Sequence, residues 1–139
     1  MAEASSGRGV RPKRPLSPHL QIYSPLINMV MSIVHRLTGV ALYLGTLLLA
    51  WWLIAAATGP QYFDYVSGLF NSWPGRFVLL GYTWALLHHM LGGLRHFIWD
   101  FGIGYDHKTI DMLSWGSILL SLILTAFVWG FAGALGGGV

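Results

Sequence analysis

The sequence predicts an all-α membrane protein with three transmembrane helices and an N-terminal interfacial segment, on three observations. Of 139 residues, 55% are hydrophobic and only 9% are charged, where an ordinary soluble domain has roughly a quarter charged. The runs Leu37 to Ala57, Phe77 to Leu94 with a continuation to Trp99, and Met112 to Leu135 each reach the roughly 20 mainly apolar residues that cross the hydrocarbon core. The net charge of +3 comes largely from Arg8, Arg11, Lys13 and Arg14, crowded ahead of the first run, so it reads as a topology signal and not as a nucleic-acid footprint. With no cysteine, the chain holds no disulfide, no thiolate zinc site and no cysteine-ligated iron–sulfur cluster. Any metal must be held by histidine or oxygen, and no soluble catalytic domain fits beside the spans.

Residues 1–27 form the basic, interfacial segment, and residues 28–139 the three-helix transmembrane domain. The first 15 residues are mostly small, basic or proline; they have nothing to bury and are expected to be disordered or pinned only by a partner. The first span is expected over about 28–57, because "NMVMSIVHRLTG" has no helix breaker between Asn28 and Gly39 and Pro25 lies just before it. Its first turns then sit at the interface. The stretch "TGPQYFDYVSGLFNSWPG" (58–75), rich in turn formers and aromatics, is expected as a loop along the headgroups. The second span is expected over about 77–99, a short polar loop from Phe101 to Asp111, the third span over about 112–135, and a frayed tail "GALGGGV". "AAAT" at 55–58 resembles a small-residue cleavage site, but the apolar run before it is longer than a secretory h-region and starts only after residue 36, so the helix is read as retained. Lys and Arg near the spans number four before the first, Arg76 between the first and second, Arg95 and Lys108 at the second loop and none after the third. The positive-inside rule then puts the N-terminus in the cytoplasm or, in an organelle, the matrix.

The second span ends in "ALLHHMLGGLRHFIWD" (85–100), with three histidines, an arginine and two adjacent glycines. His89 lies six residues before Arg95, about 9 Å deeper at 1.5 Å per residue. An ionisable side chain at that depth usually faces a bundle interior and has a function. His89, Gly92, Gly93 and His96 follow the i, i+3, i+4, i+7 spacing of one helical face, and Gly81 and Ala85 continue the low-relief stripe. A neutral imidazole beside missing side chains suits a flat, iron-holding macrocycle. The same small residues equally suit close approach of another helix, with the histidines bonded across the contact. Spacing leaves both readings open. His88 points about 100° away from His89, so the two cannot ligate one iron from the same side. In the first span Ser32, His35 and Arg36 lie at i, i+3 and i+4 and are read as one polar face. A hydroxyl, an imidazole and a fixed cation there suit a quinone carbonyl or carboxylates, or an arginine that simply snorkels to headgroups. Asp100 could orient His96 or be ordinary loop chemistry, and the tryptophans read as interface anchors.

Four features together resemble a known family, the cytochrome b-type membrane-anchor subunits of succinate dehydrogenase, respiratory complex II. They are "RPLSPHLQIY" (14–23), "SIVHRLTG" (32–39), "HHMLGGLRHFIWDFG" (88–102) and the apolar third span. The resemblance covers roughly residues 14–130. It implies half of a heterodimeric membrane-anchor helix bundle in a bacterial cytoplasmic or mitochondrial inner membrane. A second small anchor protein would complete the bundle, and the iron–sulfur and flavoprotein subunits would dock on its inner side, partly through "SPHLQIY". It further implies a haem b shared with the partner anchor, and ubiquinone as substrate. His89 would be the axial iron ligand, with His88 the alternative offered by the doublet; Ser32 and Arg36 would line the ubiquinone site; His35, Arg95 and His96 would lie near the haem propionates. No succinate site is implied in this chain. Competing readings are the anchor of a fumarate reductase, a haem-free structural anchor whose histidines join helices, and a self-contained cytochrome ligating iron through both His35 and His89.

Overall fold

A computed structural model describes residues 15–17, 19 and 22–134; residues 1–14, 18, 20–21 and 135–139, and with them most of the basic segment and of the expected tail, lie outside it. Four helices follow in order: α1 (Ile27–Thr58), α2 (Pro60–Asn71), α3 (Trp73–Asp100) and α4 (His107–Ala134). Three of them, α1, α3 and α4, are long and apolar enough to cross a membrane, as the sequence predicts. At 32 residues, α1 runs about 48 Å, longer than the roughly 30 Å hydrocarbon core, so its ends reach the interfacial zones.

The expected loop at 58–75 is instead mostly the helix α2. Gly59 has a φ of +145°, which turns the chain out of α1, and Pro60 occupies the first turn of α2, where its missing N–H leaves no bond unmade. Phe63, Val66, Ser67 and Phe70 fall on one face by the helical spacing, and Val66 is fully buried. That face is clasped to the end of α1: Trp52 Nε1 donates to Ser67 Oγ at 3.2 Å, Trp51 Nε1 donates to Tyr62 Oη at 2.9 Å, and the Trp52 and Phe63 rings lie 5.3 Å apart. Turn-forming composition misleads here because Gly59, Pro60, Pro74 and Gly75 sit at helix ends, where they delimit a helix without interrupting it, and of the prolines and glycines in this stretch only Gly68 falls in the interior of α2.

Both later spans start earlier than expected because each is capped. Ser72 Oγ accepts from Gly75 N at 3.3 Å, opening α3 at Trp73; Gly75 also rests on the Leu69 and Phe70 carbonyls, where no Cβ fits. Asp106 Oδ2 accepts from both the backbone N and the hydroxyl of Thr109, at 2.9 Å each, and opens α4 at His107. Those two donors hold the Asp106 carboxyl below the usual carboxylate range.

The spans meet through small and polar side chains. The buried positions of α3 are Ala85, His88, Gly92 and Arg95, and those of α4 are Ser114, Ser117, Ser121 and Thr125. Of these four buried hydroxyls, those of Ser117, Ser121 and Thr125 donate to a carbonyl of their own helix, at 2.7–2.8 Å, so the stripe is short, satisfied and able to approach α3 closely. Large apolar side chains such as Leu37, Leu47, Phe77 and Phe127 are exposed over more than half their surface. For a membrane protein that surface faces lipid or a partner, where an apolar exterior carries no hydration penalty.

Candidate functional site

Near the start of α1 and the end of α3, two histidines and two glycines interlock. The imidazoles of His35 and His89 stack with centroids 3.9 Å apart and planes 15° from parallel. His35 occupies the space left by Gly92, where a Cβ would overlap its ring. Reciprocally, a Cβ on Gly39 would come within 3.1 Å of His89 Cε1. His96 meets His35 edge-on at 5.4 Å and Trp99 at 5.4 Å. Thus the room beside Gly92, read from spacing as a place for a macrocycle, is filled by the chain's own imidazole, while Gly93 and Gly81 have no atoms of this kind within 4 Å.

The hydrogen bonds around His89 determine its tautomer. Nδ1 lies 3.1 Å from the His35 carbonyl oxygen and 3.2 Å from Thr38 Oγ1, and the Thr38 hydroxyl donates to that same carbonyl at 2.9 Å. A carbonyl only accepts, so Nδ1 carries the proton and donates. Nε2 is therefore left with its lone pair, as a metal ligand requires. Among the described residues no group of three or more His, Asp or Glu converges to hold a bare metal ion, so a metal bound here brings other ligands with it.

His88 faces elsewhere. It is 1% exposed, lies 5.2 Å from the Trp84 ring in a stacked pair, and donates from Nδ1 to Ser121 Oγ at 3.3 Å, because the Ser121 hydroxyl is itself committed to the Ile118 carbonyl. Arg95 shares this seam: it is 4% exposed, donates from Nη1 to Ser114 Oγ at 3.2 Å, and sets its guanidinium 5.0 Å from the Trp99 ring centroid. The polar face read as Ser32, His35 and Arg36 is divided. His35 turns inward with Met31 and Thr38, while Ser32 and Arg36 stay together one turn apart on the exposed surface of α1. His96 and Asp100 are exposed.

A groove of about 1160 Å³ runs between α1, α2 and α3. Thr38 and Ala85 line it beside the histidine cluster, Gly45, Tyr82 and Gly81 form its middle, and Trp52, Phe63 and Ser67 close its far end. Its lining is overwhelmingly apolar. Gly45 permits the close approach of the Tyr82 ring, which a Cβ would strike. Sequence reasoning missed Thr38, although it sits in "HRLTG" one turn after His35, and missed the Ser114, Ser117, Ser121, Thr125 stripe, which the small-residue spacing of α4 displays. It also missed the cap "DHKT" (106–109).

Three membrane-crossing helices, a half-buried, stacked histidine pair and an apolar groove define a multi-pass membrane protein. Residues 10–128 match the family "Succinate dehydrogenase/Fumarate reductase transmembrane subunit", and the chain belongs to that family. It is similar to the succinate dehydrogenase cytochrome b556 subunit of Paracoccus denitrificans, 43% identical over 86% of this chain and 94% of the relative. It is also similar to the protein of the same name from Rickettsia prowazekii, 36% identical over 84% and 91% of the two chains. The succinate dehydrogenase cytochrome b560 subunit of Reclinomonas americana is 30% identical over 84% of each.

Proposed function

We propose that this chain is the cytochrome b membrane-anchor subunit of a succinate:ubiquinone oxidoreductase, sharing a haem b with a second small anchor protein and contributing to the ubiquinone site. The observation that carries the reading is His89: its Nδ1–H is engaged by the His35 carbonyl and Thr38, so Nε2 is the nitrogen that would hold the haem iron, and Thr38, bonded to the same imidazole, lines a groove large and apolar enough for a macrocycle. The residues present fit the group. When bound, haem supplies a one-electron carrier between the iron–sulfur clusters of the partner subunits and the quinone region.

The chain's own residues do the rest. Of the doublet, His89 is the better supported ligand, because His88 Nε2 is buried in the α3–α4 seam of this same chain. His35 and His96 carry imidazole edges beside the cluster, and His35 Nε2 is buried with no partner among the described residues, which suits a propionate carboxylate. Arg95 contributes positive charge at this end of α3 from within the seam. Face-to-face stacking of His35 on His89 argues against one iron held by both, since two near-parallel stacked rings do not aim their nitrogens at a common point. Ser32 and Arg36, exposed on the adjacent face of α1, are positioned to meet a quinone head: the hydroxyl donates to a carbonyl, and the fixed cation stabilises the negative charge that develops as the ring is reduced. The second anchor would cover the exposed apolar faces of α1 and α3, and the iron–sulfur and flavoprotein subunits would dock on the inner side, where the N-terminus lies in the cytoplasm or matrix. Succinate chemistry belongs to those subunits.

The test is a reduced-minus-oxidised optical spectrum of the detergent-solubilised complex, purified through a tag on this chain, for wild type, His89→Ala and His88→Ala. A b-type spectrum lost or shifted only in His89→Ala is expected. Its retention in His89→Ala would remove that ligand, and no haem signal in an intact wild-type assembly would leave a structural anchor. Comparing rates with ubiquinone and with a low-potential quinone separates succinate oxidation from the fumarate-reducing direction that the family also covers.

A further inference from the structure

The triangle formed by Thr38 Oγ1, the His35 carbonyl and His89 Nδ1 has sides of 2.9, 3.1 and 3.2 Å, and Thr38 is 3% exposed. A threonine hydroxyl in a helix usually bonds back to a carbonyl one turn earlier, and Thr38 does so. Its proton being committed to the His35 carbonyl, its lone pairs are the part that faces His89. The Nδ1–H of His89 is therefore shared between two acceptors, one of which the side chain of Thr38 supplies. His35 stacks on one face of the ring, which favours this orientation. A hydroxyl that accepts from the N–H of a ligating imidazole pulls that proton away, makes the opposite nitrogen a stronger electron donor and favours the more oxidised metal.

We propose that Thr38 is a positioning residue that holds His89 in the Nδ1–H tautomer and lowers the reduction potential of the iron that His89 ligates. This rests on the haem reading of His89. Thr38 touches neither iron nor quinone in this role; it acts through the imidazole, and the His35 carbonyl supplies the second acceptor that no substitution of a side chain can remove.

The experiment is a redox titration of the haem α-band in the purified complex for wild type, Thr38→Val, Thr38→Ser and His89→Ala, with haem content per assembled complex measured alongside. Valine keeps the shape and deletes the hydroxyl. It should raise the ferrous-to-ferric ratio at a fixed poise at least threefold, which is an upward shift of about 28 mV at 59 mV per tenfold for one electron, while serine titrates with the wild type. If the valine variant does not assemble, Thr38→Ala, which adds no bulk, is expected to show the same upward shift. Superimposable titrations of wild type and the hydroxyl-free variant, in a complex whose spectrum is lost in His89→Ala, would overturn the role of Thr38 alone. A wild-type spectrum persisting in His89→Ala would instead overturn the haem reading on which it rests.

Discussion

His35 and His89 lie face to face, 3.9 Å between ring centroids, and each ring fills the space over a glycine of the opposite helix, His35 over Gly92 and His89 over Gly39. Glycine at 92 is a requirement of this pairing, because a Cβ there would overlap the His35 ring, while a Cβ at Gly39 would make a tight contact with the edge of His89. Two imidazoles on adjacent helices come this close only where the facing backbone carries no side chain, and the contact in turn holds α1 against α3 in one register.

Gly92→Ala is expected to displace the His35 ring and destabilise the assembled complex. Overpacking of this kind costs about 1–3 kcal/mol, partly offset by the roughly 1 kcal/mol that alanine gains over glycine in a helix. Thermal unfolding of the purified complex, with Gly116→Ala as a control in open space on α4, reads the difference. An unchanged melting temperature and spectrum would mean that His35 yields freely and that the stack is dispensable.

Ser121→Ala is expected to destabilise the chain without altering a cytochrome spectrum. It strips the acceptor from a His88 that is 1% exposed, and a buried donor left unmet costs about 1–3 kcal/mol. Denaturation of the complex in detergent checks the loss. A spectral shift in this variant would tie His88 to the cofactor and reopen the choice within the doublet.

Arg36→Ala should slow quinone reduction by an order of magnitude or more, equivalent to about 1.4 kcal/mol or more of barrier, while succinate oxidation by an artificial electron acceptor continues. Ser32→Ala should raise the apparent KM for ubiquinone. Steady-state assays with the two acceptors distinguish these outcomes. Equal loss of both activities in a fully assembled Arg36→Ala complex would move the residue out of the quinone site and into assembly.

Asp106 links the start of α4 to pH. Its folded-state pKa lies below the ordinary value because Thr109 donates to the carboxylate, so its stabilising contribution is present above the ordinary carboxylate pKa and is lost as pH falls through the lowered folded value. Asp106→Ala should therefore melt earlier than wild type at neutral pH, and the difference should shrink in acid below that value. A difference independent of pH would mean that the charge of the Asp106 carboxylate adds nothing to the cap.

The three spans were legible because crossing a membrane demands length and apolarity, both of which are properties of a contiguous run such as Met112 to Leu135. His89 stood out for a similar reason, as an ionisable group deep in such a run. The helix α2 was hidden because Pro60, Gly59 and Ser72 signal turns wherever they fall, and only the clasp of Trp51 and Trp52 onto Tyr62 and Ser67 shows that they bound a helix. By itself, then, the sequence determined the membrane class, the order of the spans and which polar residues fall within them. The tertiary structure decided which of them meet: it turned His88 and Arg95 toward the serines of α4, separated His35 from Ser32 and Arg36, and gave His89 the acceptors that set its tautomer. Side-chain spacing along one helix defines faces, but the partner of each face is a property of how helices cross, and that depends on where glycine and serine let two backbones approach.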